Sequence, residues 1–245
     1  LAGADPSVVR GLPHVMERVV AVDAFRKASS AESTREYPYP MLFRQITQPS
    51  TSFVLVPRHS SENRAIIPMG FFTPENIVAD SCNSIPGADF LHLGVLQSAM
   101  HMAWVRATCG RLKSDFRYSK DIVYNNFPWP DAPTDATKAA IEATAQTVLD
   151  ARAQFPGSSL ADLYDPRTMP PVLVKAHQAL DRAVDAAYLA GEAAAGRRKP
   201  SLKTDAERVA FLFTLYQHYT SLLPAPAAKP KRPRKPRTMV ESTDG

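Results

Sequence analysis

The stretch SDFRYSKDIVYNNFPWP (Ser114–Pro130) ends in Asn126-Phe127-Pro128-Trp129, close to a catalytic signature. Enzymes that methylate the amino group of adenine carry Asn/Asp-Pro-Pro-Tyr/Phe/Trp. In that motif a side-chain oxygen and a backbone carbonyl hold the amino group while the aromatic ring stacks on the flipped base. Here Phe127 stands in place of the first proline, which changes the loop that would present the carbonyl. A methyl-donor site would also need a Gly-rich turn after a strand. The chain has 10 glycines and no Gly-x-Gly cluster. The stretch therefore reads as a strand end running into a proline-stiffened linker, with Trp129 packing across a domain junction. It is not an active site.

On either side of this linker the texture differs. Upstream, residues 13–29 predict a helix begun by Pro13, with Val15, Val19, Val22 and Arg26 on one face. The prolines of EYPYPMLF end it. TSFVLVPR, RAIIP and NIVADS read as strands, Ser84–Gly87 as a turn, and Phe90–Leu93 as a fourth strand. VLQSAMHMAWVRATCG reads as a helix stopped by Gly110, with a small-residue face of Leu96, Ala99, Met100, Ala103 and Ala107. RLKSDFRYS and DIVY return to strand and loop.

Downstream of Pro133, three amphipathic helices are expected. The first carries Ile141, Ala145, Val148 and Leu149, and the second Leu173, Ala176, Leu180, Val184 and Ala187. The third opens at the Thr204…Glu207 capping box and carries Val209, Phe213 and Tyr216. The fold class is thus α+β: a mixed sheet with packed helices, then a small α-helical bundle. APAAKPKRPRKPR has almost nothing to bury and reads as a disordered basic tail.

With 245 residues, 44% hydrophobic and 22% charged, the composition is that of a soluble globular chain. No apolar run is long enough to cross a bilayer, and no leader opens the sequence. The first residue is Leu1 rather than Met, which suggests a piece of a longer protein. Two cysteines outside any Cys-x-x-Cys pair point to a reducing cytoplasm and away from zinc. The net charge of +5 is concentrated at the end. From Leu223 onward six basic residues face two acidic ones, a net +4, which leaves the body at about +1. A polyanion site in the body must therefore come from local clustering.

No Gly-x-Ser-x-Gly elbow, His-Glu-x-x-His or convincing nuclease carboxylate pattern is present. The stronger signal is polar and basic clustering on loops. PRHSSENR brings Arg58, Ser60, Glu62, Asn63 and Arg64 between two strands, and GRLKSDFRYSK adds Arg111, Lys113, Asp115, Arg117, Tyr118 and Lys120. Base edges are read by this mixture: Arg and Lys for guanine, Asn or Gln for adenine, Asp or Glu for the cytosine amino group. The same composition also describes a solvated hairpin loop, and composition does not separate the two.

PMLFRQ, LVPRHSSENRAIIPMGF, HLGVLQSAMHMAWVRATCGRLKSDFRYSKDIVYNNFPWP and LADLYDPRTMPPVLVKAHQALDRAVDAAY together resemble the C-terminal part of bacterial type IIL restriction–modification enzymes, the MmeI-like family. The resemblance spans Pro6 to about Leu222 and is most specific over Gly110–Pro130. It implies a target-recognition domain over 34–130 and a C-terminal helical domain over 131–223, with a linker helix expected over 1–33 and the disordered basic tail, outside the resemblance, over 224–245. It implies that this chain is not catalytic by itself. An upstream methyltransferase domain would bind S-adenosylmethionine and methylate N6 of adenine, with or without a nuclease. The partners would be double-stranded DNA and that upstream domain, with no membrane. The base-reading regions would be Arg58–Arg64, Asp80–Asn83 (with Asp80, Ser81 and Asn83) and Lys113–Tyr118. A protein-interaction scaffold that docks the catalytic domain or another subunit is the alternative.

Overall fold

A computed structural model describes residues 1 and 3–221 of the chain. The expectation for the basic tail lies outside the described residues. Helix α1 (Pro6–Arg10) is capped by Asp5, and α2 (Pro13–Lys27) starts on a proline at its first turn. Arg26 on α2 donates to the carbonyls of Tyr39 and Leu42 at 2.9 and 2.8 Å, tying the proline-rich stretch back to the helix. A short helix, α3 (Glu32–Arg35), lies between them.

The strands form two small antiparallel sheets. In the first, β1 (Phe53–Pro57) runs between β3 (Gly70–Phe72) and β4 (Cys82–Pro86). In the second, β6 (Asp115–Arg117) runs between β2 (His59–Ser60) and β5 (Gly110–Leu112).

Several sequence expectations are corrected here. RAIIP is not a strand, although Ile66, Ile67 and Met69 are buried. Its Ile67 amide donates to Met102 Sδ at 3.4 Å rather than to a neighbouring strand. NIVADS is not a strand either. Pairing begins at Cys82, so β4 takes in Ser84–Pro86, and only Gly87, with φ 70°, remains of the expected turn. Phe90–Leu93 is helical. Asp89 and His92 form a capping box that starts α4 (Phe90–Leu96). The helix expected from Val95 onward breaks at Gln97, and Ser98 caps a new one, α5 (Ala99–Thr108). DIVY lies in a π-helix over Lys120–Tyr124, capped by Ser119 and held by Trp104 Nε1, which donates to the Val123 carbonyl at 3.0 Å.

The helical half consists of α6 (Asp135–Ala153), α7 (Leu160–Leu163), α8 (Pro171–Ala194) and α9 (Asp205–Thr220). The expected stripe of α8 is buried throughout. The Thr204…Glu207 box caps α9, but the residues α9 buries are Phe211, Leu212 and Leu215. Phe213 is instead 42% exposed, with its ring 5.1 Å from Trp104. One contiguous core runs from Val54 in the sheet to Leu215 in α9. Gly94 lets α4 approach α6 and α8; a Cβ there would stand 2.6 Å from Ile141 Cγ2. Trp129 packs edge-on against His92, Tyr124 and Phe127 at the junction between the halves.

Candidate nucleic-acid interface

Three polar segments, far apart in sequence, meet at the second sheet. Pairing of β2 with β6 sets His59 opposite Arg117 and Ser60 opposite Phe116. The Arg58 carbonyl accepts from the Tyr118 amide at 2.8 Å, and the Arg58 amide donates to the Ser81 carbonyl at 2.9 Å. The Arg58 guanidinium reaches the Asp80 carbonyl at 2.9 Å. Asp115 Oδ1 accepts from the Glu62 amide at 3.1 Å, fixing one loop against the other. Arg58–Arg64, Asp80–Asn83 and Lys113–Tyr118 thus form one surface.

Alternation along β6 explains its two faces. Phe116 is buried, and its neighbours Asp115 and Arg117 point to solvent. Arg111 lies over the Phe116 ring at 4.0 Å and donates to the Ser114 carbonyl at 3.0 Å, bracing the hairpin. Lys113 sits at the tip with φ 55°. Among the described residues, no side-chain hydrogen bond or ion pair engages Lys113 or Arg117. Lys120 pairs with Asp121 at 3.0 Å, a surface contact of little energetic weight.

Glu62, Asn63, Asp80 and Ser81 are exposed; Arg64 and Asn83 are half-buried. Asn83 Nδ2 is buried with no partner among the described residues. A cleft of about 360 Å³ opens between the segments, lined by Arg58, Asn83, Arg111, Arg117 and Lys120.

Ser60 and Tyr118 are corrections. Both are buried, at 5% and 3% exposure. Tyr118 turns inward because its hydroxyl lies 3.0 Å from His101 Nε2, and burial pushes its pKa far above the usual phenol range. Ser60 lies beneath the surface, and Tyr118 lines the cleft wall with its hydroxyl turned to His101.

Sequence reading missed a contribution from the helical half. The turn Asp165–Arg167, between α7 and α8, shares a pocket of about 430 Å³ with Ser61, Asn63 and Arg64. It also missed Arg152, which is buried and donates to Tyr164 OH, Gln97 Oε1 and the Met69 carbonyl. The available signal was an arginine in register with Ile141, Ala145 and Val148 on the buried stripe of α6. Among the described residues there is no His/Cys/Asp/Glu group able to hold a metal, and no helix long and apolar enough to cross a membrane.

A family model described as MmeI, target recognition domain, matches residues 1–131, and one described as MmeI, C-terminal domain, matches residues 133–224. DNA methyltransferase A of Bacillus subtilis (strain 168) is 37% identical over 213 residues, covering 86% of this chain and 23% of that protein. The solved structure of the type IIL restriction-modification enzyme MmeI in complex with DNA superposes with a TM-score of 0.82 at 46% identity. That match covers 91% of this chain and 28% of the other, so the chain spans about a quarter of each relative.

Proposed function

This chain belongs to the MmeI family, as a target recognition domain followed by a C-terminal domain, and we propose that it is the sequence-specific double-stranded DNA recognition module of a bacterial adenine-N6 methyltransferase of the restriction–modification type. The observation that carries this reading is the convergence of three polar segments on one surface, through the β2–β6 pairing and the bonds of Arg58 to Ser81 and Asp80. In this reading, Arg117 and Lys113 donate to guanine edges. Asp115 and Glu62 accept amino hydrogens from cytosine or adenine. Asp115 keeps one oxygen for this, since Oδ1 already holds the Glu62 amide. Each good bidentate contact contributes about 1–3 kcal/mol of discrimination.

Chemistry would belong to an upstream domain that binds S-adenosylmethionine and flips the target adenine out of the duplex. Helix α2 supports docking to such a domain. It buries no residue, and Val20 and Phe25 are 63% and 77% exposed. The same exposure favours a second reading, in which the chain serves mainly as a scaffold for a catalytic partner in the cytoplasm.

Mapping of methylated sites separates the two. In the full-length protein, Arg117→Ala should relax or abolish recognition at one base position, and Lys113→Ala should do so at another. An unchanged motif and rate in both variants would leave the scaffold reading standing.

A further inference from the structure

The pocket between the recognition loop and the α7–α8 turn has the chemistry of an anion site. It is lined by Ser61, Asn63 and Arg64 from the recognition half and by Asp165, Pro166 and Arg167 from the helical half. We propose that it holds a backbone phosphate of bound DNA, so that the C-terminal domain grips the duplex alongside the base-reading surface. This rests on the DNA-recognition reading above and extends it to the C-terminal domain, whose Arg167 lies outside that surface.

The donor inventory fits a phosphodiester. Ser61 Oγ accepts from the Asn63 amide at 3.3 Å, which leaves its hydroxyl hydrogen free to donate. Among the described residues, the Asn63 side-chain amide and the Arg167 guanidinium have no partner. Among the described residues, the Arg64 side chain makes a single 3.5 Å contact, with Ser60 Oγ. Neither arginine is ion-paired among the described residues. The one carboxylate in the pocket, Asp165, accepts the Arg167 amide at 2.8 Å through Oδ1. Two guanidiniums against one carboxylate leave a net +1, which matches the single charge of a phosphodiester.

The turn is held rigidly in place. Tyr164, immediately before it, is buried, and its hydroxyl is fixed by Arg152 Nε at 2.8 Å and His177 Nε2 at 2.7 Å. Arg152 also grips the Met69 carbonyl at 2.7 Å, just ahead of β3. One buried cluster therefore sets the Arg167 turn relative to the recognition half. Such preorganisation lowers the cost of ordering a contact on binding. The neighbouring loop is fixed in turn by the bond from the Glu62 amide to Asp115.

The experiment measures binding of the full-length protein to its methylation-site duplex as a function of salt. Arg167→Ala and Arg64→Ala should each weaken binding roughly threefold to tenfold and reduce the slope of log K against log salt by about one. The methylated motif should stay the same in Arg167→Ala. Asp165→Asn should bind more tightly at low salt, a sign that a purely structural role would not produce. Duplexes carrying single neutral methylphosphonates should include one position that weakens wild type and leaves Arg167→Ala unaffected. Wild-type affinity and slope in both arginine variants would overturn the proposal and leave the base-reading surface intact. So would a changed motif in Arg167→Ala, which would make that residue a base reader. If the duplex is bound no better than random DNA and Arg117→Ala is silent, the underlying recognition reading fails as well.

Discussion

The β5–β6 hairpin and the Arg152 cluster use the same side-chain chemistry in opposite ways. At the hairpin, Arg117 and Lys113 stand in solvent without partners among the described residues, while Phe116 is the buried side chain of β6. Around Arg152, a guanidinium at 9% exposure donates to three acceptors drawn from both halves of the chain. Desolvating a cation is costly, and only a full set of hydrogen bonds makes burial tolerable. Donors satisfied internally specify the fold, whereas donors left free are available to a partner. The contrast predicts that stability and recognition will respond to different arginines.

The largest expected effect tests this directly. Arg152→Ala removes the charged donor shared by Gln97 Oε1, the Met69 carbonyl and the Tyr164 hydroxyl, leaving them only the neutral bonds among Gln97, Met69, Tyr164 and His177, and hydrogen bonds to charged groups contribute about 1.5–3 kcal/mol each. Urea unfolding should show a loss of about 3–5 kcal/mol. Arg152→Lys should rescue little, since one ammonium cannot reproduce the planar fork. Arg117→Ala should shift stability by less than about 0.5 kcal/mol, as exposed substitutions generally do, while altering the methylated motif. A large stability loss in Arg117→Ala and none in Arg152→Ala would reverse the assignment.

Acid gives a smaller effect confined to the interior. Burial depresses the pKa of His101 to about 4; burial and the adjacent Arg152 depress that of His177 to about 3. Unfolded, both take up a proton near pH 6.5. Between those values the unfolded chain binds more protons than the folded one, so stability is complete above pH 6.5 and falls as pH is lowered. Each histidine should account for on the order of 2 kcal/mol at pH 5. His101→Gln, able to keep the bonds to Leu96 and Tyr118, should remove about half of the difference in urea midpoint between pH 7 and pH 5. A pH-independent midpoint in the wild type would mean that these imidazoles are accessible to water.

The two regions were also unequally legible in the sequence. Helix α8 could be read because its buried positions recur with helical period, and α9 because Thr204 and Glu207 mark its start. The upstream half misled because burial there does not follow strand periodicity. Ile66, Ile67 and Met69 are all inside, but on extended chain packed beneath α5, with one amide bonded to a methionine sulfur. Residues 89–92 carried a cap signal, Asp with His three positions on, that was outweighed by the apolar run following it. At the candidate site, the polar loops were visible from composition, but their convergence depends on a two-residue strand pairing across more than fifty positions. Arg167 was invisible for a similar reason, since only tertiary packing brings it to Arg64. Alternation from Phe116 separates Arg117 from it and places Tyr118 on the inner face, where its hydroxyl meets His101.

The smallest effect concerns strain at the hairpin tip. Leu112 pairs with Asp115, so Lys113 and Ser114 form a two-residue turn, and only Lys113 has positive φ, at 55°. Glycine is the residue such a position favours. A left-handed conformation costs an ordinary residue about 1–2 kcal/mol, while glycine gives back roughly 0.5–1 kcal/mol through its freer unfolded chain. Lys113→Gly should therefore raise stability by about 0.5 kcal/mol in urea unfolding and weaken recognition at one base position. Strain tolerated where a side chain contacts a partner is the expected signature of a functional position. If Lys113→Gly were less stable and recognised the same motif, the lysine would be serving the turn alone. The hairpin's polar character would then belong to the fold, as that of the Arg152 cluster does.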